Sequence, residues 1–154
     1  MQYDTSKSKY YEDFEVGQEF ITNGRTITET DIVNYSGISG VFHPGHTDKE
    51  YCKNTIFKNI ISHGPLILSI SNGLVWELKL CDYTMIALLQ LEWIFKKPVF
   101  ISDTIMAKEV VEEKKEVEDK NMGIIVFKRY IYNQNDELVQ IGKSTVLMKR
   151  KAEN

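Results

Sequence analysis

One stretch, HGPLILSISNGLVWELKL at residues 63–80, constrains the fold of this chain more than any other. Leucine, isoleucine and valine recur through it so closely that a helix formed there has almost no polar face. Pro65 suits the first helical turn, where the N–H that it lacks would have no partner. A helix that is apolar on most sides has to be buried. We therefore predict one long central helix that the rest of the chain covers.

Long β-prone runs follow this helix, at residues 84–95, 103–118, 123–133 and 138–149. In the third run, alternate residues from Ile125 to Ile131 share one side of a strand, which is the period of a pleated sheet. The order predicts an α+β fold in which a curved antiparallel sheet wraps the central helix. Because such a sheet has exposed edges, we expect a homodimer or a higher homo-oligomer.

The first half of the chain is built from shorter elements. We expect residues 1–10 to be a loose polar segment and residues 11–150 to form the single domain, with turns at Gly17 and Asn23–Gly24. Thr28 as N-cap and Asp31 at the third helical position begin a short helix that runs out near Gly37. A loop at 38–46 should follow. The S/T-x-x-E spacing of Thr47 and Glu50 then predicts a capping box and a second short helix at 48–54.

Composition excludes several classes of protein. The chain has 154 residues, of which 42% are hydrophobic, enough for one ordinary core. A net charge of -3 argues against nucleic acid as a partner. The polar start and the lack of any apolar run as long as a bilayer span predict a cytoplasmic protein that does not contact membranes. Cys52 and Cys81 lack the spacing of a redox or metal pair, so both should be reduced packing residues.

Two of the three histidines fall in the segment SGVFHPGHTD, residues 39–48. His46 follows a proline and a glycine on a loop, where it either acts as a general acid or base or is a surface imidazole bonded to the next helix. His43 and His46 have an H-x-x-H spacing, but zinc needs three or four protein ligands and the cysteines are not placed to supply them. We therefore expect no metal site.

The start of the central helix offers a second candidate group. Gly64 stands where unpaired backbone N–H groups attract negative charge and where a ligand can approach the main chain, although it can equally serve only to make the turn. His63 is expected to cap or pack at the helix entrance, and Asp48 to favour its own helix start through the dipole alone. Asn72, about two turns further on, either bonds neighbouring backbone or points into a ligand pocket.

Four segments together resemble the MaoC-like dehydratases, the (R)-specific enoyl-CoA hydratase group with the hotdog fold. They are YSGISGVFHPGHTDKEY, ISHGPLILSISNGL, LEWIFKKPVFISDTI and NQNDELVQIGKSTVLM. The resemblance runs from about Tyr11 to Lys149, and its specific part is the combination of H-P-G-H-T-D with S-H-G-P-L. It implies a long helix wrapped by an antiparallel sheet, a dimer as the functional unit, and an acyl thioester of coenzyme A or acyl carrier protein as substrate. No further cofactor is implied.

The resemblance also assigns roles to residues. The family loop usually reads S-G-D, then asparagine or histidine, a proline and the catalytic histidine. Applied to this chain, it implies that His46 is the acid–base residue and that the Gly64 amide polarises the thioester carbonyl. Substrate-contacting positions fall on one set of side chains, Ser39, Val41, His43, His63 and Asn72. The family's catalytic aspartate is replaced by Val41, which can neither accept a hydrogen bond nor ionise.

Three hypotheses follow for the function. The first is a hydratase or dehydratase that adds water reversibly to an enoyl thioester, with an incomplete catalytic pair. The second is a non-catalytic subunit that binds acyl thioesters or serves assembly, which the missing carboxylate motivates. The third is a hotdog thioesterase in which His46, Asp31 or Asp48 activates water.

Overall fold

The computed structural model describes residues 8–119 and 121–152. Its central element is helix α4, Gly64–Glu77, which lies within the predicted 63–80 segment. Residues Leu66, Ile67, Ile70 and Leu74 of α4 are buried in one core cluster with Ile105 and other sheet residues. The prediction of one buried helix is confirmed, because the aliphatic side chains of α4 need cover on more than one side.

Four long strands form the sheet against which α4 packs. They are β3 (Met85–Phe95), β4 (Thr104–Glu116), β5 (Met122–Tyr132) and β6 (Leu138–Lys149). With the short strand β1 (Glu19–Ile21), the order across the sheet is β1-β4-β5-β6-β3, and β2 (Arg25–Thr26) pairs with β4. Every pairing is antiparallel. The predicted α+β arrangement is confirmed.

Register shifts interrupt the ladders within β3 and β4, for example between Val111 and Glu113. An irregularity of this kind bends a strand and increases its twist. The long strands can therefore curve around α4 while keeping their pairing.

Helix α1 spans Glu29–Ser39 and begins as predicted, with the Thr28 hydroxyl accepting the Asp31 N–H and the Asp31 carboxylate accepting the Thr28 N–H. Its predicted end near Gly37 is wrong. The helix continues to Ser39 and stops at Gly40, whose φ of 74° lies in the left-handed region that glycine adopts without strain.

The predicted loop at 38–46 is also partly wrong, because Pro44–Thr47 form a helical turn, α2. Helix α3 covers Lys49–Cys52 and is capped by Asp48, whose carboxylate accepts the Tyr51 N–H at 2.9 Å. Thr47 is not the cap, since its hydroxyl donates to the His43 carbonyl. The predicted capping box fails because an aspartate beside the threonine is the better N-cap acceptor.

Residues 8–10 of the predicted loose segment contact the domain: the Lys9 N–H donates to Leu80 O at 2.7 Å and the Thr84 hydroxyl donates to Lys9 O at 2.6 Å. Residues 1–7 lie outside the described part of the chain. Cys52 and Cys81 are both free thiols. Over residues 8–119 and 121–152, no helix combines the length and the apolar character that a bilayer span requires.

Candidate functional site

His46 and Gly64 line the same cavity, which measures about 380 Å³ and which we call the outer cavity. It lies between the start of α4 and the segment that follows β3. Most of its wall is apolar or cationic, and its lining residues are His46, Phe57, Ile61, Ser62, Gly64, Pro65, Ile67, Phe95, Lys96, Lys97, Pro98, Val99 and Gln140. The imidazole and the main-chain donor that the sequence singled out therefore face one space.

The fold fixes the tautomer of His46. Its Nδ1 lies 2.7 Å from the carbonyl oxygen of Ile61, and a carbonyl can only accept, so Nδ1 carries the proton. In the neutral ring, Nε2 is then the unprotonated nitrogen. Helix α2 fixes the main chain of His46, whose backbone N–H donates to the His43 carbonyl at 2.8 Å. His46 is thus oriented as a proton acceptor.

Gly64 is the first residue of α4, where a backbone N–H has no acceptor within the helix. A Cβ at this position would lie 2.7 Å from the ring of Phe95, so a larger residue would collide with the cavity wall. The Gly64 carbonyl is held by Gln140, whose Nε2 donates to it at 3.0 Å. The close approach of Phe95 and the unpaired amide both favour glycine here.

His63 lies directly behind His46. The two imidazoles stack with ring centroids 3.7 Å apart, and His63 is only 3% exposed. Its Nε2 donates to the carbonyl of Val41 at 3.0 Å, which leaves Nδ1 unprotonated, buried and without a hydrogen-bond partner. Burial lowers the pKa of His63 from its ordinary value of 6.5. A neutral ring therefore supports His46, and His63 packs at the helix entrance without a side-chain cap.

The loop before α2 forms a further space on the other side of His46, which we call the loop cavity. Val41, His43 and Tyr51 are among its lining residues, and it measures about 560 Å³. The Val41 side chain is 46% exposed, while its main chain is fixed at both ends by Ser39 and His63. His43 Nδ1 accepts the Gly45 N–H at 3.0 Å, and its ring centroid is 5.9 Å from that of His46.

No aspartate or glutamate of the described residues lines either the outer or the loop cavity. The Asp31 carboxylate is bonded to Thr28 and Arg25, and the Asp48 carboxylate caps α3. Within the described ranges, no group of three or more histidine, cysteine, aspartate or glutamate side chains is arranged to hold a metal ion. Among the residues that the structure describes, no carboxylate therefore partners His46 at the site of Val41.

Asn72 lies apart from the other candidate residues. Its Oδ1 accepts a hydrogen bond from Nη1 of Arg129, which also forms a two-pronged ion pair with Glu109. These side chains line a third space of about 100 Å³, the inner cavity, between the second half of α4 and the sheet. Val41, His43 and His63 lie beside His46, whereas Asn72 does not. Ser39 lines neither the outer nor the loop cavity, and its hydroxyl donates to the Tyr35 carbonyl and accepts the Val41 N–H.

Among the outer-cavity residues that were not singled out from the sequence, Phe95 and Gln140 contact Gly64. Phe95 ends a β-prone run and Gln140 stands inside another, so each was interpreted only as a strand residue. Their contacts with Gly64 join positions 31 and 76 residues apart, and no local pattern signals such pairs.

Comparison with known proteins places the chain in a family. The sequence model of the MaoC like domain matches residues 13–128, more than half of the chain. The chain is 32% identical over 102 residues to the (R)-specific enoyl-CoA hydratase of Rhodospirillum rubrum, a match that covers 66% of this chain and 69% of that protein. A match of 38% identity over 66 residues covers 43% of this chain and only 20% of Protein MaoC of Klebsiella aerogenes.

Solved structures agree. The X-ray structure of the monoamine oxidase regulatory protein from Archaeoglobus fulgius has a TM-score of 0.84 and 34% identity, with 94% of this chain and 97% of that chain covered. A protein of Mycobacterium tuberculosis described as a double hotdog fold has a TM-score of 0.82 at 17% identity, and the match covers 97% of this chain and 46% of that chain. The fold is the hotdog fold, and the chain belongs to the MaoC-like dehydratase family.

Proposed function

We propose that this protein is an acyl-thioester hydratase or dehydratase that adds water reversibly to an enoyl group carried on coenzyme A or on a carrier protein. One observation supports this above the others: the unprotonated Nε2 of His46 and the free N–H of Gly64 belong to groups that line one cavity. The reaction needs a base for water and a donor for the thioester oxygen, and these are the two groups present.

The chemistry follows from these positions. With the thioester carbonyl at the Gly64 N–H, His46 takes a proton from water, and the hydroxyl oxygen bonds to the β-carbon of the double bond. The electron pair of the double bond moves toward the carbonyl, and the Gly64 amide stabilises the enolate oxygen that results. The imidazolium then returns its proton to the α-carbon, which leaves a β-hydroxyacyl thioester and neutral His46. Dehydration is the reverse sequence.

His46 carries this proton transfer without the usual carboxylate. A positioned acid–base group contributes about 10²- to 10⁴-fold in rate, so the chain should be slower than a relative with the complete pair. His63 partly compensates for the lost orientation, because its stack and its bond to the Val41 carbonyl fix both the ring and the loop. We therefore propose a weak hydratase that retains the oxyanion donor.

Two features support an acyl thioester as the substrate. The relative from Rhodospirillum rubrum is named an (R)-specific enoyl-CoA hydratase. The outer cavity is apolar toward Ile67 and Val99, and Lys96 and Lys97 also line it. An apolar interior suits an acyl group, and the ammonium group of Lys96 suits the phosphates of coenzyme A or of a phosphopantetheine arm. The Lys97 ammonium is already paired with Glu137 at 2.6 Å.

A homodimer is part of the proposal. Strand β3 ends the sheet order, pairing only with β6 among the described strands. Its exposed apolar side chains are Ile86, Leu88, Leu89, Leu91, Ile94 and Phe95. A long apolar edge strand invites pairing with a second copy of itself. We propose a cytoplasmic location as well, which the free thiols of Cys52 and Cys81 support because reduced cysteines are usual there.

Hydration of a short enoyl-CoA tests the proposal, followed by loss of the conjugated double bond in the ultraviolet. Replacing His46 with alanine should lower kcat by about 10²- to 10⁴-fold, and Val41→Asp should raise it by supplying a carboxylate beside the imidazole. His43→Ala, on the same loop, is the matched control and should lose much less. Unchanged rates in both His46→Ala and Val41→Asp would refute the assignment.

The absence of a carboxylate around His46 also favours a second candidate, a subunit that binds acyl thioesters without converting them. Calorimetric binding of an acyl-CoA, with no turnover across a panel of enoyl thioesters, would support that role. Robust hydration would dismiss it. Release of free thiol from a saturated acyl-CoA would instead indicate a thioesterase.

A further inference from the structure

We propose that Trp93 separates the outer cavity from the inner cavity and thereby restricts the protein to short acyl groups. This inference rests on the proposed function, because it names the class of thioester that the His46–Gly64 site accepts. Trp93 belongs to β3 and packs against the core cluster of α4. It contacts Gln140, which lines the outer cavity, and Arg129, which lines the inner cavity.

On the outer side, Trp93 is tied to the start of α4. Its Nε1 donates to Oε1 of Gln140 at 2.8 Å, and Nε2 of Gln140 donates to the Gly64 carbonyl at 3.0 Å. Both Gln140 and Gly64 line the outer cavity. The indole is therefore anchored next to the amide that would hold the thioester carbonyl, which is where an acyl chain directed inward would arrive.

On the inner side, Trp93 meets the buried ion pair. The guanidinium carbon of Arg129 lies 5.8 Å from the Trp93 ring centroid, within the range of a cation–π contact. Arg129 and Glu109 line the inner cavity. The outer and inner cavities have no lining residue in common among residues 8–119 and 121–152, so they are separate spaces. Trp93 lines neither of them, but it contacts one lining residue of each, Gln140 of the outer and Arg129 of the inner cavity.

Two contacts hold the indole in this position. A Cβ placed on Gly142 of β6, the residue that pairs with Trp93, would overlap the indole ring. The ring thus lies flat over the glycine main chain and is held at its nitrogen by Gln140. A side chain fixed at both its face and its edge is a rigid partition, because neither contact survives rotation of the ring.

Polarity strengthens the barrier that bulk creates. Behind Trp93, Glu109 is 2% exposed and Arg129 5% exposed, and four N–H bonds of Arg129 are made to Glu109, Ser71 and Asn72. An alkyl chain forms no hydrogen bond with these groups, so placing one against them would cost free energy. Helical rise separates Gly64 from Asn72 by roughly 12 Å, so only a long chain would reach this cluster. Short acyl groups avoid it altogether.

The test compares crotonyl-CoA with 2-octenoyl-CoA in the wild type, Trp93→Ala, Trp93→Leu and Trp93→Phe. The wild type should favour crotonyl-CoA in kcat/KM. Opening the partition with alanine or leucine should shift the ratio toward 2-octenoyl-CoA by roughly tenfold or more, the scale on which a pocket senses added methylenes. Phenylalanine keeps an aromatic wall while losing the bond to Gln140, so it should retain the wild-type preference.

Binding of butyryl-CoA and octanoyl-CoA, measured by calorimetry on the same folded variants, keeps the inference independent of turnover. If no variant hydrates any substrate but the binding ratio shifts as described, the proposed reaction fails and the partition stands. A wild type that prefers the longer chain, or a folded Trp93→Leu variant with an unchanged ratio in both assays, would overturn the partition. Trp93→Leu and Trp93→Phe keep the test decisive even if the alanine variant does not fold.

Discussion

The two halves of helix α4 differ in whether their polar groups have hydrogen-bond partners within the protein. At its start, the Gly64 amide and the His46 imidazole face an open cavity and have capacity left for a ligand. In its second half, Ser71 and Asn72 are bonded to Arg129, whose charge is neutralised by Glu109. The first arrangement suits chemistry on a bound molecule. The bonds of Ser71 and Asn72 to Arg129 fix α4 to the sheet. The start of α4 can therefore face an open cavity and still keep its position.

The largest effect should come from breaking the buried pair. Glu109→Ala leaves the Arg129 guanidinium buried without its counter-ion, which typically costs about 3–5 kcal/mol in the free energy of unfolding. Urea denaturation measures it. The double variant Glu109→Leu with Arg129→Met removes both charges and should recover most of the loss. A single variant as stable as the wild type would contradict the fastening role.

A substitution at the start of α4 should act on activity instead. The Cβ of Gly64→Ala would lie 2.7 Å from the Phe95 ring, so the ring must move into the outer cavity. Residue 64 keeps its backbone N–H, but a thioester carbonyl displaced by the shifted ring would no longer reach it. We therefore expect kcat/KM for hydration to fall by on the order of 10²-fold.

Gly73→Ala is the matched control, since nothing lies within 4 Å of its added Cβ on the same helix. It should leave activity unchanged and raise stability by about 0.5–1 kcal/mol, because alanine loses less backbone freedom in a helix. Equal losses of activity in Gly64→Ala and Gly73→Ala would contradict the claim that only the first half of α4 takes part in the reaction.

The contrast can be sharpened with pH. Burial lowers the pKa of folded His63 below its ordinary 6.5, so the unfolded chain takes up a proton first as the pH falls. The stability that neutral His63 contributes is present above about pH 6.5 and is lost as the pH falls toward the folded pKa. Melting curves between about pH 7.5 and about pH 5.5 should therefore show a larger fall in Tm for the wild type than for His63→Gln. Parallel curves would contradict this.

A smaller effect is expected at the start of α1. Thr28 caps this helix through the Asp31 N–H and lines none of the outer, loop and inner cavities. Thr28→Ala should lower the free energy of unfolding by about 1 kcal/mol while hydration is unchanged. Chemical denaturation and the crotonyl-CoA assay measure the two quantities, and a loss of activity beyond the change in stability would show that the start of α1 helps to position the site.

Local signals predicted the elements well. The strand at 138–149 was predicted to the residue, because alternation and flanking turns define its ends. Thr28 and Asp31 were predicted as a cap because their spacing alone sets the geometry. The same rule gave a wrong prediction at Thr47, because the neighbouring Asp48 is the N-cap of α3.

Long-range pairs were beyond such signals. The sequence allowed Asn72 to face a ligand pocket near Gly64, but it could not reveal that Arg129 of β5 would bind its side-chain oxygen. The stack of His63 on His46 was equally hidden, because 17 residues separate the two rings and only the turn before α4 brings them together. What the sequence did supply was the chemical type of each group at the outer cavity.

The central claim is that His46 and the Gly64 amide act on the same bound thioester. Nitrogen-15 NMR during titration with butyryl-CoA tests it most directly. The Gly64 amide signal and the His46 ring nitrogen signals should shift together with one dissociation constant, while the Asn72 side-chain amide signal should not shift. Saturable binding that leaves the Gly64 and His46 signals unmoved would contradict it.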